Sequence, residues 1–257
     1  MVPAILDGGS PLGVARWSNT IAVAVRDSGD VLLVDVGWSA EACVDPAALL
    51  GRVRAAALGV RARPGDAIVD QLRALGVERS RVKTIVATHL HLDHIGGACD
   101  FPDAQVVCTD RELRAFRGLR RDIGYRADDL AKSGRARTVI LVGPPVLGFR
   151  ASHDLFGDGE IVLCEAQGHT PGLAAVALRT PNRTYVHVGD AVYQTWEYGL
   201  SRPGPSPVAR ITGWRGEEMK RTYAAIRACE AHACKPIVVP SHDMSVFERL
   251  PRKPAEI

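Results

Sequence analysis

The chain has 257 residues, 46% hydrophobic and 24% charged, a composition that excludes a disordered or fibrous protein and allows one sizeable core. A formal net charge of +3 is too small to point to nucleic acid or a membrane surface as partner. Six cysteines (43, 99, 108, 164, 229, 234) contain no CxxC pair, which argues against a zinc knuckle or a dense disulfide framework and for free thiols in a reducing cytosol.

The opening MVPAILDGGSPLG has neither a basic n-region nor an apolar h-region, so the expectation is a cytoplasmic protein without a signal peptide. The apolar runs IAVAV and VLLV are far too short to span a bilayer. TIAVAV (20–25) and VLLVDV (31–36) read as strands of a hairpin, with RDSGD as the turn. Asp35-Val36-Gly37 at the end of the second strand is a place for the chain to bend near a site. Residues 45–63 are ambiguous, loop plus helix. PGDAIVDQLRALG (64–76) predicts a helix with Asp66 as N-cap and Gly76 as stop.

VKTIVATH (82–89) is a short buried strand, AQVVCT (104–109) another, and RELRAFRGLRR a helix. Residues 120–137 read as an exposed insertion. GEIVLCEA (159–166) predicts a strand leading into GHTPG, and LAAVALRT with RTYVHVGD forms a second hairpin around Pro181-Asn182. A helix over 216–233 and a last strand and loop, KPIVVPSHD (235–243), follow. No repeat or low-complexity linker is present. The pattern predicts one α/β domain over 1–257, with two mixed sheets packed together and helices outside.

THLHLDHIGG (88–97) hangs on the end of the strand at 82–89. His89 and His91 are two apart, so in extended backbone both point the same way. Asp93 and His94 come where the chain should turn into Ile95-Gly96-Gly97, aiming that pair at a neighbouring point. One ion for each pair is the geometric reading. Two protein ligands hold a catalytic metal poorly, so others should come from further strand ends: His169 in GHTPG, Asp190 in VHVGD and His242 in VVPSHD. We assign His89, His91 and His169 to a first metal, Asp93, His94 and His242 to a second, and Asp190 to a bridge. Two divalent ions are implied, Zn²⁺ first, with Mn²⁺, Co²⁺ and Fe²⁺ also suited to imidazole and carboxylate. The alternative for the turn, four polar groups serving only as caps, would desolvate them without gain. His187 lies mid-strand and is taken as a satisfied core histidine.

HxHxDH with these partners in this order resembles the metallo-β-lactamase superfamily of hydrolases, over most of the chain. The resemblance implies an αββα sandwich with the metals at one edge of the two sheets, and it supports the bridging role of Asp190. Asp190 argues against the true β-lactamases, and His91 against the flavodiiron branch. Tyr193, three residues after Asp190 in GDAVYQTW, is similar to the quorum-quenching N-acyl-homoserine lactonases. There the tyrosine hydroxyl approaches the substrate carbonyl. Segments 45–63 and 120–137 match poorly. The implied reaction is attack of a metal-bridging hydroxide on a lactone, with Tyr193 stabilising the oxyanion and Asp93 moving the proton.

Trp38, Phe149, Trp196 and Tyr198 are candidates for an apolar wall beside the metals, with ordinary packing as the alternative. Residues 111–137 carry nine Lys/Arg against four Asp/Glu. A solvated face or subunit contact explains that excess, so a homodimer stays open, and no aromatic interleaving favours bases. The expected partner is a small lactone, with no nucleic acid and no membrane. A thioester hydrolase of the glyoxalase II kind is the alternative on the same core, although the few residues after His242 leave no room for its helical region. A non-catalytic metal-binding protein is the third reading.

Overall fold

Val31-Leu32-Leu33-Val34 is apolar at every position, and all four side chains are buried. Alternate side chains of a strand leave opposite faces, so both faces of this sheet must be covered. Leu32 and Val34 join a core with Val86, Val107, Leu163 and Val176, while Val31 and Leu33 join another with Ile68, Leu72, Leu113 and Phe116. The first core lies between two sheets and the second between a sheet and its helices. A third core packs Val162, Cys164, Ala175 and Val186 against Met219, Tyr223 and Ile226 of a helix on the far side. The result is four layers, an αββα sandwich.

The computed structural model describes residues 2–3, 14–15, 17–58, 62–118, 134–199, 204–213 and 215–250. Strands β1 (Val2–Pro3) and β2 (Val14–Ala15) pair with each other. The first large sheet runs in order β3 (Ala22–Val25), β4 (Val31–Val34), β5 (Val82–Val86), β6 (Gln105–Thr109) and β7 (Ala136–Val139). Its β3–β4 hairpin is antiparallel and the rest parallel. The second sheet holds β8 (Ser152–Asp154), β9 (Ile161–Glu165), β10 (Ala174–Arg179), β11 (Thr184–Gly189) and β12 (Ile237–Pro240), with β12 beside β11. It is antiparallel except for the β11–β12 pair.

Both expected hairpins and the two-sheet architecture are present. Strand β7 begins within the last two residues of the segment 120–137, where the sequence suggests an exposed insertion; residues 120–133 of that segment lie outside the described residues. Segment 45–63 is a chain of short helices, Pro46–Leu50 and Arg52–Leu58, preceded by Ala40–Val44. The helix expected from Asp66 starts later, at Ile68, and Ala67 in the cap position offers no side-chain bond. Asp66 instead accepts a hydrogen bond from Arg63 N (2.9 Å), closing the turn before the helix. Among the described residues no helix is long and apolar enough to cross a membrane.

Candidate functional site

His89 follows β5, and His91 adopts extended backbone (φ −68°, ψ 154°) before the helical turn Leu92–Ile95. That switch separates two pairs: His89 and His91 leave an extended segment, Asp93 and His94 a helical one. His94 O accepts from the backbone N–H of Val36 and Gly37, pinning the turn to the end of β4. Gly97 is required there, since a Cβ would stand 2.7 Å from Val36 O. On the other sheet, β11 and β12 run side by side with Gly189 opposite Pro240, which brings Asp190 beside His242. His169 follows β9. All seven expected ligand residues therefore meet at one edge of the sandwich.

They fall into two groups, each with one donor atom per residue within 4.8 Å of the others: His89, His91, His169 and Asp190, then Asp93, His94 and His242. Asp190 reaches across. Its Oδ2 lies 3.9 Å from His89 Nε2 and 3.5 Å from His169 Nε2, and its Oδ1 lies 3.1 Å from both His94 Nε2 and His242 Nε2. Asp93 Oδ2 is 3.8 Å from His94 Nε2 and 3.6 Å from His242 Nε2. His169 Nε2 and His91 Nδ1 face each other at 2.9 Å.

The outward nitrogens are held by acceptors. His94 Nδ1 donates to Asp35 Oδ2 (2.8 Å) and His242 Nδ1 to Ser18 O (2.7 Å). Thr88 Oγ1 donates to Asp35 Oδ2 (2.8 Å), which leaves it to accept from His89 Nδ1 (3.1 Å). Each of these three rings thus turns Nε2 inward. His89 Nε2, His94 Nε2 and Asp190 Oδ1 are buried and make no hydrogen bond; His94 Nε2 stands near Asp190 but off the direction a hydrogen bond needs. Orphaned buried donors and acceptors are rare. Imidazoles anchored through one nitrogen, with the other aimed at a shared point, have the form of metal ligands. The donor set fits divalent cations.

Electrostatics divides the two groups. Burial, with neighbouring imidazoles, holds His89 well below its ordinary pKa, lowers His91, and pushes His169 down to about 3. Burial is the largest influence on His94 and His242 and opposes their protonation, but the carboxylates together outweigh it, Asp190 with Asp35 and Asp93 at His94 and Asp190 with Asp93 at His242, and both are raised. Burial also opposes ionisation of Asp190, yet His242 and His94 hold its carboxyl well below the usual range.

Tyr193 is buried beside this centre, its ring stacked on His242 (centroids 5.4 Å apart, planes at 12°). Its hydroxyl lies 3.0 Å from Thr212 Oγ1, which itself donates to Val208 O, so Tyr193 donates to Thr212. Burial and then the Asp190 charge push the phenol well above its ordinary pKa, keeping it a donor.

Of the four aromatic candidates for an apolar wall, three take the alternative of ordinary packing, and Trp196 is half-buried in the turn Thr195–Glu197. Phe149 and Tyr198 are buried in the core between the second sheet and its helix, and Trp38 packs on the outer core of the first sheet. They pack because their strands and loops are covered by helices. The aromatic neighbour at the centre is Trp17, stacked on Tyr193 (5.1 Å) and His242 (5.3 Å). Sequence reading missed Trp17 and Glu112, and gave Asp35 only a bend near a site. His187, expected as a core histidine, is one: Nε2 donates to Thr20 O (2.9 Å). In the basic segment, Arg114 pairs with Asp110 and Arg135 donates to the carbonyls of Phe101, Ala104 and Ala98. Those charges serve the fold. All six cysteines are free.

The family model described as metallo-beta-lactamase superfamily matches residues 15–216. A probable metallo-hydrolase of Mycobacterium tuberculosis is 34% identical over 188 residues, 70% of this chain and 58% of that protein. The N-acyl homoserine lactonase AttM of Rhizobium radiobacter is 30% identical over 194 residues, 72% of this chain and 67% of AttM. The match thus spans 58% of the length of the mycobacterial relative. Among solved structures, an N-acyl homoserine lactone hydrolase with the product N-hexanoyl-L-homoserine at its catalytic metal centre aligns with TM-score 0.75 and 18% identity, covering 99% of this chain and 92% of that one. A variant of B. thuringiensis AiiA with N-decanoyl-L-homoserine at its active site gives 0.76 and 18%, covering 100% and 94%. At that identity the likeness is one of fold.

Proposed function

The chain belongs to the metallo-β-lactamase superfamily, and we propose that it is a dinuclear-metal hydrolase that opens lactone rings, with N-acyl-homoserine lactones as substrates. The observation that carries the reading is the position of Asp190, one oxygen toward His89 and His169 and the other toward His94 and His242. A bridging carboxylate needs that geometry. The Asp190–Tyr193 spacing and the 30% identity to a lactonase support the substrate class.

His89, His91 and His169 would hold one ion, Asp93, His94 and His242 the other, and Asp190 would touch both. When bound, two such ions lower the pKa of a shared water from ~15.7 toward ~7 and polarise a carbonyl. The chain's residues do the rest. Tyr193, kept protonated by burial, shifts its hydrogen bond from Thr212 to the carbonyl oxygen as negative charge grows there. Asp93, a third exposed, takes the proton of the attacking water and passes it to the ring oxygen as the C–O bond breaks. Trp17 and Tyr193, stacked beside His242, exclude solvent from that side. The products are a carboxylate and an alcohol, with one proton released. Such a protein would quench quorum signals.

The test pairs metal analysis with a panel of lactones read by a pH indicator. Two divalent ions per chain are expected, with acid release from N-acyl-homoserine lactones that chelation abolishes and Zn²⁺ restores. Turnover of thioesters or phosphodiesters alone would move the protein to another branch of the superfamily. Two bound ions with no hydrolysis would make it a metal-binding protein.

A further inference from the structure

Glu112 lies in the helix Asp110–Gly118, whose sequence is rich in arginine and whose neighbours Arg111 and Arg114 face solvent. Its own side chain is completely buried. Burying a carboxylate is costly unless every oxygen is satisfied, so its partners indicate its use. Thr109-Asp110-Arg111-Glu112 has the form of a capping box, in which the threonine accepts from the third residue's backbone N–H. Thr109 Oγ1 does accept from Glu112 N (3.1 Å). Helix capping alone would account for a glutamate at this position, but it would not account for where the carboxylate goes.

Its two oxygens bond to two separate loops. Oε1 accepts from Leu90 N (3.1 Å), the residue between His89 and His91. Oε2 accepts from Thr170 Oγ1 (2.8 Å) and Gly172 N (2.9 Å), just after His169. Thr109 Oγ1 also donates to Gly172 O (2.6 Å), tightening the same junction. One side chain therefore ties together the two loops that carry all three histidines of the first group. The loops come from different sheets and lie far apart in sequence; beside this brace, Ala174 N donates to Thr88 O (3.0 Å), so the junction is fixed by backbone as well. Glu112 also acts electrostatically on His91.

Charge gives the brace a second use. Two divalent ions would bring four positive charges to this edge of the sandwich. Asp93 and Asp190 stand in the ligand groups. Asp35, bonded to His94, stands behind the second group. Glu112 stands behind the first. Two of these carboxylates would contact the ions, and one stands behind each group.

Resting on the dinuclear reading above, we propose that Glu112 is a positioning residue for the first metal group: it holds the His89–His91 turn and the His169 loop in the register at which their nitrogens converge. Glu112→Gln keeps the shape and removes the charge. The amide has one acceptor oxygen and one donor group, whereas Leu90 N and Gly172 N both need an acceptor. Whichever way the amide turns, one loop meets an N–H with an N–H.

The test titrates metal-free protein with Zn²⁺ alone and follows the ring nitrogens of ¹⁵N-labelled histidine by NMR, which reports each group separately. In Glu112→Gln, His89, His91 and His169 are expected to bind roughly 10–100-fold more weakly, while His94 and His242 titrate as in the wild type; the buried N–H left without an acceptor lowers the metal-free melting temperature as well. Thr170→Val removes one of the bonds and should act in the same direction, less strongly. Wild-type affinity at the first group in either folded variant overturns the assignment. So does equal weakening of both groups, which would make Glu112 a general scaffold residue. A wild type that takes up no zinc overturns the dinuclear reading, and this assignment with it.

Discussion

Asp35 Oδ2 accepts a 2.8 Å hydrogen bond from His94 Nδ1, and both side chains are fully buried although 59 residues separate them. The same carboxylate takes Thr88 N (2.8 Å) and Thr88 Oγ1 (2.8 Å), so through Thr88 it also fixes His89. Asp35 has φ +58°, a region that asparagine and aspartate tolerate better than other side chains. Asp35→Asn should therefore keep the backbone and lose an acceptor. His94 is the partner with most to lose, because its ring orientation depends on that bond. We expect metal affinity to fall roughly 10–100-fold, with an unchanged circular dichroism spectrum. Dialysis against a chelator, followed by metal analysis, measures it; wild-type retention would mean that Asp35 does not orient the ligand.

Tyr193→Phe separates binding from chemistry. The ring stays stacked on His242, and only the hydroxyl is lost. We expect kcat on N-acyl-homoserine lactones to fall about 100-fold, the size of losing one oxyanion donor, with two ions still bound. Removing the bond to Thr212 should cost about 1 kcal/mol of stability. Loss of metal from this variant would place Tyr193 in the ligand support rather than at the substrate.

The ligands were legible in the sequence because their signals are local. His89 and His91 share a direction by the two-residue period of extended chain, and His169, Asp190 and His242 each follow an apolar run that can be read as a strand. Asp35 and Glu112 could not be placed, because what defines them is contact with segments tens of residues away. Asp35 reads as a turn residue after β4, and Glu112 as one charge in an arginine-rich helix. Trp17 fared similarly: its partners Tyr193 and His242 lie at the other end of the chain. Asp66 shows the converse error, a good cap residue one position too early, whose carboxylate closes the preceding turn. Strand β7 was missed because only Val139 of its four residues is buried, so it lacks an apolar run.

Gly172→Ala tests the junction sterically. A Cβ there would lie 2.1 Å from Glu112 N and 2.5 Å from Thr109 Oγ1. Both are held by backbone or hydrogen bonds and cannot swing aside. Overpacking of this severity should cost about 3 kcal/mol or more, or roughly 6–12 °C in Tm for a chain of this size. Gly216→Ala, with nothing within 4 Å of its Cβ, is the control and should be close to neutral. A Gly172→Ala protein that melts with the wild type would show that the loop can move away from the helix.

His187 makes stability depend on pH. Its ring is fully buried in β11, with Nε2 donating to Thr20 O (2.9 Å) and Nδ1 accepting from Gly189 N (3.3 Å). Both nitrogens are satisfied only in the neutral form, since a proton on Nδ1 would face the Gly189 N–H. Burial, only partly opposed by Asp35, lowers its pKa in the folded state, whereas the unfolded chain titrates near ~6.5. Above that pH neither state binds the proton and His187 adds no slope. Below it the unfolded state takes up a proton that the native state refuses, so stability falls as pH falls, by up to about 1.4 kcal/mol per pH unit. The other buried histidines titrate in both proteins, so the comparison is with His187→Gln, whose amide can still donate to Thr20 O. Denaturant unfolding of the chelator-stripped proteins at pH 7.5 and 5.5 should show the wild type losing about 1 kcal/mol more than the variant. Equal losses would mean that His187 accepts its proton inside the fold.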